Sequence, residues 1–147
     1  REILTALERI SQDLPIVFPI HPRTRNRITE NGLNDLLESG NFILIEPQGY
    51  LDFLCLVANA RLVLSDSGGI QEETTVLGVP CLTLRHNTER PITIENGTNR
   101  LVGNAGADIM AAYHDVQSTR LAEAPVPELW DGKAAFRIAQ ILLDKLR

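Results

Sequence analysis

The chain is poor in sulfur and aromatics, and it lacks every apolar run long enough to span a bilayer. Among 147 residues there are only two cysteines, Cys55 and Cys81. Both sit inside apolar runs, away from any CxxC or other metal-ligand spacing, and are expected to be reduced core residues rather than a disulfide. No HExxH, GxSxG or GxxxxGK[ST] pattern occurs, so zinc-hydrolase, nucleophile-elbow and P-loop chemistry have no support. Neither a metal nor a cofactor is expected. Fourteen Lys and Arg stand against 19 Asp and Glu, a formal charge of −5, which argues against nucleic acid or a membrane surface as partner. There is no signal peptide or lipidation motif, no internal repeat and no low-complexity segment. A reducing, cytoplasmic setting is the expectation. An initiator methionine is absent too: the chain opens at Arg1-Glu2-Ile3-Leu4, already inside an amphipathic pattern, and is expected to be a piece of a longer polypeptide.

What is present is a composition of 44% hydrophobic and 22% charged residues, suited to one globular domain with a sizeable core. Ile3, Leu4, Leu7, Ile10 and Leu14 predict a first helix. Pro15 to Ile20 is an apolar run without alternation, read as a buried strand. An arginine-rich turn follows (His21, Arg23, Arg25, Arg27), then a helix from about Arg25 to Leu37. Phe42 to Ile45 predicts a second strand, and Gly49 to Asn59 a helix with Leu51, Leu54, Cys55 and Ala58 on its apolar side. Arg61 to Leu64 is a third strand, Gly69 to Leu77 a helix ending at a C′ glycine, Gly78, and Pro80 to Leu84 a fourth strand. A loop from Arg85 to Pro91 leads to a short strand at Arg100 to Val102. Helices are expected over Asp108 to Val116 and Lys133 to Leu146, joined by a proline-rich link (Pro125, Pro127). Strands alternating with helices, apolar on both faces, predict an α/β fold: a parallel, Rossmann-like sheet with helices on both faces. Ligands of such sheets bind beyond the strand C-termini.

The run Leu62-Val63-Leu64-Ser65-Asp66-Ser67-Gly68-Gly69-Ile70-Gln71-Glu72-Glu73 lies at such an end. Ser67 offers a hydroxyl, Gly68 and Gly69 admit close approach of the backbone, and the helix N-terminus attracts anions. Glu73 lies one turn beyond Gly69 on the same helix face, where it is placed to accept from ribose hydroxyls. The plainer account is a tight turn with glycines for packing, and with Glu72 or Glu73 complementing the macrodipole. Gln48 and Phe53 suit a uracil edge and base stacking, or else a helix cap and a core ring. Arg90, ahead of Pro91, suits a phosphate, or else a salt bridge with Glu89 or Glu95. His21 is a structural hydrogen-bonding group or a ligand contact, and His86 and His114 read as surface residues.

Five segments occur here in the order found in the non-hydrolysing UDP-N-acetylglucosamine 2-epimerases. They are His21-Pro22-Arg23-Thr24, Pro47-Gln48-Gly49-Tyr50-Leu51-Asp52-Phe53, Asp66-Ser67-Gly68-Gly69-Ile70-Gln71-Glu72-Glu73, Thr88-Glu89-Arg90-Pro91 and Gly97-Thr98-Asn99-Arg100-Leu101-Val102-Gly103. The chain resembles that family over nearly its whole length, to Trp130-Asp131-Gly132-Lys133-Ala134. The resemblance implies the C-terminal, UDP-binding half of a two-domain GT-B fold over residues 1–147, without the N-terminal domain and without the sheet's first strand, whose place is left as a gap. It implies that Ser67, Gly68 and Gly69 hold the diphosphate, Glu73 the ribose, Gln48 and Phe53 the uracil, and that Arg90 faces the phosphate or sugar. His21 matches a position of an allosteric UDP-GlcNAc site. The implied partners are UDP or UDP-GlcNAc, the N-terminal domain of the same protein, and a second copy in a homodimer.

The family inverts C2 of UDP-GlcNAc, giving UDP-ManNAc for surface polysaccharide, by eliminating UDP and adding it back, with no metal or nicotinamide. Its acid/base groups lie outside this stretch, so no catalytic residue is assigned and the chain alone is expected to be inactive. Ile92 departs from the Glu that many members carry after Arg-Pro, so no sugar contact is transferred there. Two other readings compete: the nucleotide-sugar half of a GT-B glycosyltransferase, and a UDP-sugar-binding module without chemistry.

Overall fold

Apolar residues at helical spacing build α1 (Glu2–Ser11), which buries Ala6 and Ile10 and carries Glu2 and Arg9 at the dipole-compatible ends. The structure, a computed structural model, describes residues 1–118 and 126–146. After α1 come β1 (Ile16–Pro19), α2 (Pro22–Glu30), α3 (Asn34–Glu38), β2 (Phe42–Ile45), α4 (Tyr50–Ala58), β3 (Val63–Ser65) and α5 (Gly68–Leu77). Then follow β4 (Cys81–Thr83), α6 (Ile92–Glu95), β5 (Asn99–Leu101), α7 (Gly106–Ser118) and α8 (Ala134–Lys145). α5 stops where expected, at Gly78 with φ +69°, a left-handed C-cap that glycine adopts without a Cβ clash.

All pairing is parallel, as strands separated by helical crossovers require. β1 pairs with β2 from Ile16 opposite Phe42 to Pro19 opposite Ile45. β4 lies between β3 and β5, with Leu82 facing Leu64 and Arg100. The strands form a two-stranded sheet and a three-stranded sheet. β1 and β3 share no ladder, and each keeps one edge without a strand partner among the described residues. α1 holds the halves together. Its Ala6 and Ile10 join Leu82, Val102, Ile109, Ala112 and Tyr113 in one core, while Leu4 packs on Ile20, Ile28 and Leu33 in another. The buried Tyr113 hydroxyl donates to Asp13 Oδ2 at 3.4 Å, and burial followed by the Asp13 carboxylate raises its pKa.

Several expectations are corrected. The arginine-rich turn is helical: Pro22 occupies the first helical position of α2, and Gly32 at φ +60° breaks the expected long helix into α2 and α3. The strands of the first sheet are not buried throughout as expected, since Val17, Ile43 and Leu44 are exposed. α4 turns its assigned apolar side outward: Leu51 is 76% exposed, Cys55 and Ala58 are exposed, and Val57 is the residue it buries. Cys55 is thus not a core thiol. Cys81 is, and burial pushes its pKa up to about 11 against weaker lowering by the Thr74 and Thr83 hydroxyls. Of the proline-rich link, Pro127 is buried and Pro125 lies outside the described residues. α8 is amphipathic yet buries nothing, leaving Phe136, Ile138, Ile141, Leu142 and Leu143 exposed. Among the described residues no helix is long and apolar enough to cross a membrane.

Candidate functional site

Parallel strands place their C-termini on a common edge, so each sheet gathers its loops there: His21 after β1, Glu46 to Gln48 after β2, Asp66 and Ser67 after β3, and Leu84 to Pro91 after β4. The three-stranded sheet feeds β3 into α5 through two residues. Ser67 is the N-cap, in extended conformation at φ −81°, and its hydroxyl makes no capping bond. Its N–H donates to Ser65 Oγ at 3.1 Å. Helix geometry leaves the N–H groups of Gly68, Gly69 and Ile70 without an intrahelical acceptor, at the positive end of the dipole.

Neither glycine has a positive φ; the left-handed glycines are Gly32, Gly78, Gly103 and Gly132. A Cβ built on Gly68 meets nothing within 4 Å, and one on Gly69 meets only Ser67 Oγ at 3.9 Å. Gly97 is different, because a Cβ there runs into the Thr93 carbonyl and into Thr75 Oγ1 at 2.7 Å. The chain's own packing therefore explains Gly97 and does not explain Gly68 or Gly69. Open space stands where a side chain at either position would begin, at the end of α5 whose N–H groups lack intrahelical acceptors.

The loop after β4 closes on this helix. Arg90 Nε lies 2.9 Å from Glu72 Oε1, both side chains being a little over two-fifths exposed. Glu89 pairs instead with Arg85 at 3.5 Å, so the salt-bridge partners expected for Arg90, Glu89 and Glu95, are both wrong. Their appeal was nearness in sequence; the actual partner comes from α5. Glu72 and Glu73 also lie beyond the first turn of α5, which holds no acidic residue, so the macrodipole does not account for them. Glu73 Oε2 is shut off from solvent and has no hydrogen-bond partner among the described residues. A carboxylate oxygen in that state is costly unless a donor reaches it.

α4 packs beside α5, which brings the Gln48–Phe53 segment toward the same region. Gln48 is exposed, and its Nε2 donates to the Glu46 carbonyl at 2.6 Å. It does not cap α4, whose N-cap is Gly49 without a side-chain bond. Phe53 is half-buried. His21 caps α2: its Nδ1 accepts the Arg23 N–H at 3.2 Å. It stands at the end of the other sheet. His86 and His114 are exposed as expected. Among the described residues no group of three His, Cys, Asp or Glu is arranged to hold a metal ion.

Sequence reasoning missed what lies beneath the site. Gln71, Thr74, Thr75, Thr83, Thr93 and Asn99 are all buried. Asn99 Nδ2 donates to the Gln71 carbonyl at 2.8 Å and to Thr75 Oγ1 at 3.0 Å, and Asn99 Oδ1 accepts from Thr83 at 3.3 Å. Thr88 Oγ1 donates to Gln71 Oε1 at 2.6 Å. The available signal was three polar residues, Gln71, Thr74 and Thr75, at one-turn spacing on the side of α5 opposite its exposed Val76.

The family pattern described as UDP-N-acetylglucosamine 2-epimerase matches residues 1–143. The UDP-N-acetylglucosamine 2-epimerase of Methanocaldococcus jannaschii is 47% identical over 131 residues, covering 88% of this chain and 35% of the relative. That of Salmonella typhimurium is 37% identical over 145 residues, covering 96% and 38%. A solved M. jannaschii UDP-GlcNAc 2-epimerase superposes with TM-score 0.85 at 43% identity, over 97% of this chain and 40% of that one. The structure of the same enzyme in complex with UDP-GlcNAc and UDP gives 0.81. These neighbours have the GT-B fold, and the parallel sheets flanked by helices on both faces seen here are part of it. The chain spans 35 to 40% of the length of these relatives. Matched along nearly its whole length, it belongs to the UDP-N-acetylglucosamine 2-epimerase family.

Proposed function

We propose that this chain is the UDP-binding part of an enzyme that interconverts UDP-GlcNAc and UDP-ManNAc. One observation carries the reading: the N-terminus of α5 opens onto free space at two glycines that neither backbone conformation nor packing demands. The diphosphate sits there, accepting from the backbone N–H groups near Gly68 and Gly69 and from Ser67, with Arg90 exchanging Glu72 for a phosphate oxygen. An ion pair this exposed is worth at most about 1 kcal/mol, so a dianionic ligand displaces Glu72 readily. The unpartnered Glu73 oxygen accepts from the ribose, and Gln48 and Phe53 face the uracil. The complex of the M. jannaschii relative with UDP-GlcNAc and UDP supports the ligand class.

The chemistry follows from where the charge goes. Loss of the C2 proton and cleavage of the bond from C1 to the diphosphate oxygen give 2-acetamidoglucal and UDP; re-addition restores the bond and returns a proton to the other face of C2. Negative charge builds on the diphosphate as that bond breaks, and preorganised N–H donors and a guanidinium stabilise it there. This site therefore acts on the leaving group, and the groups that move the C2 proton come from a further domain. The relatives' greater length, the bare apolar face of α8 and the open edges of β1 and β3 support such a partner, with a parallel strand filling the gap between β1 and β3. The reading extends to a cytoplasmic homodimer and to an allosteric UDP-GlcNAc contact at His21, where capping by Nδ1 leaves Nε2 for a ligand.

Calorimetric titration with UDP tests the site. Binding should weaken at least tenfold in Glu73→Ala, as expected when hydrogen bonds to a charged acceptor are lost. Equal affinity in the two proteins removes Glu73 from the ribose role.

A further inference from the structure

We infer that Gln71 and Thr88 are positioning residues for Arg90: their part-buried hydrogen bond holds the loop after β4 so that the guanidinium stands beside the opening turns of α5. The inference rests on the UDP-binding reading above. It concerns residues that touch no ligand.

The geometry is a clamp on one residue's backbone. The Thr88 hydroxyl donates to Gln71 Oε1 at 2.6 Å and accepts the Arg90 N–H at 2.9 Å, so one oxygen links α5 to Arg90. On the other side the Arg90 carbonyl accepts from Thr93 Oγ1 at 2.7 Å and from the Thr93 N–H at 3.0 Å. Thr93 is fully buried. The Arg90 main chain is thus fixed on both sides while its side chain stays half-exposed and pairs with Glu72. Gln71 is itself held, its carbonyl taken by Asn99 Nδ2.

The choice of residue at position 71 supports a positional role. Gln71 is 1% exposed, and its Nε2 has no partner among the described residues. Methionine or leucine would fill a similar volume without an orphaned donor, which costs about 1–3 kcal/mol. Packing alone would favour the apolar residue. The amide is explained by the bond its other end makes to Thr88, and that bond acts on Arg90.

The test measures UDP binding by calorimetry and uridine binding by NMR titration, on the whole chain. Thr88→Val should weaken UDP about five- to tenfold, the scale of one well-placed hydrogen bond, and leave uridine unchanged because only the phosphate contact moves. Gln71→Met should do the same, and Thr88→Ser should restore the unaltered affinity. Arg90→Ala should weaken UDP more strongly, and adding Thr88→Val to it should cost nothing further. An additive double variant, an equal loss for uridine, or failure of Thr88→Ser to rescue assigns a merely structural role and overturns the inference. UDP binding that both Thr88→Val and Gln71→Met leave intact overturns it while sparing the proposed function. Absence of UDP binding by the unaltered chain overturns both.

Discussion

Replacing Gly69 by alanine separates a glycine kept for the fold from one kept for a ligand. In the fold, the new methyl group meets nothing closer than Ser67 Oγ at 3.9 Å, an ordinary contact distance, and φ at this position is not in the left-handed region. Alanine also loses less backbone entropy than glycine in a helix, a gain of up to about 1 kcal/mol. For a chain of this size that raises Tm by roughly 2–4 °C. Bound phosphate reverses the sign. An oxygen accepting from the N–H of residue 69 at about 2.9 Å occupies the volume beside that residue, and the methyl group crowds it. UDP affinity should therefore fall at least tenfold, about 1.4 kcal/mol, in a protein that melts no lower than its parent. Thermal melts by circular dichroism and UDP titration of the same sample give both numbers. Gly97→Ala is the contrasting control, because its Cβ collides with the Thr93 carbonyl and it should lose stability. A Gly69→Ala protein that binds UDP within twofold of the parent, or that loses more than about 1 kcal/mol of stability, refutes the assignment of this glycine to the ligand.

Four further outcomes are expected. A thiol reagent should label Cys55 quickly at neutral pH and leave Cys81 untouched until the chain unfolds, because one is exposed and the other buried with its pKa near 11; two fast thiols would contradict the burial of β4. The same Cys81 shift sets a pH dependence. Its folded pKa is raised, so its contribution is full below about pH 9 and is lost as pH rises toward 11, by about 3 kcal/mol, and urea midpoints across that window should fall less steeply in Cys81→Ala than in the parent, the remaining slope including Tyr113, whose pKa is also raised. Asn99→Ala should cost about 2–4 kcal/mol in urea unfolding, since it strips partners from Thr83, Thr75 and the Gln71 carbonyl together. Finally, this chain incubated alone with UDP-GlcNAc should show no C2 inversion by NMR, and turnover would place the proton-transfer groups inside it.

The elements that sequence made legible are those whose signal is local. Phe42 to Ile45 begins and ends where the apolar run does, and Gly78 ends α5 because a single residue carries the left-handed turn. Legibility fails where the deciding neighbour is remote. α4 is apolar on every side, so periodicity cannot tell that Val57 faces in and Leu51 out. Gly32 stops α2 inside a segment whose composition still reads as helix. Strand–helix alternation predicts parallel pairing, but it is silent on whether β1 and β3 pair with each other.

The site divides along the same line. Its motifs were legible because each is a short run at one strand end, and family resemblance could read them one by one. What joins them was not. Arg90 pairs with the carboxylate of Glu72 and not with that of Glu89 or Glu95, and the hydroxyl at position 88 meets an amide 17 residues away. Buried threonines and amides look like surface residues in a string of letters, yet in a strand-edge site they decide where the charged side chains stand. Charge at this edge is therefore placed by neutral, part-buried hydrogen bonds, and a substitution such as Thr88→Val, which alters no charge and touches no ligand, is expected to read out in phosphate affinity before it reads out anywhere else.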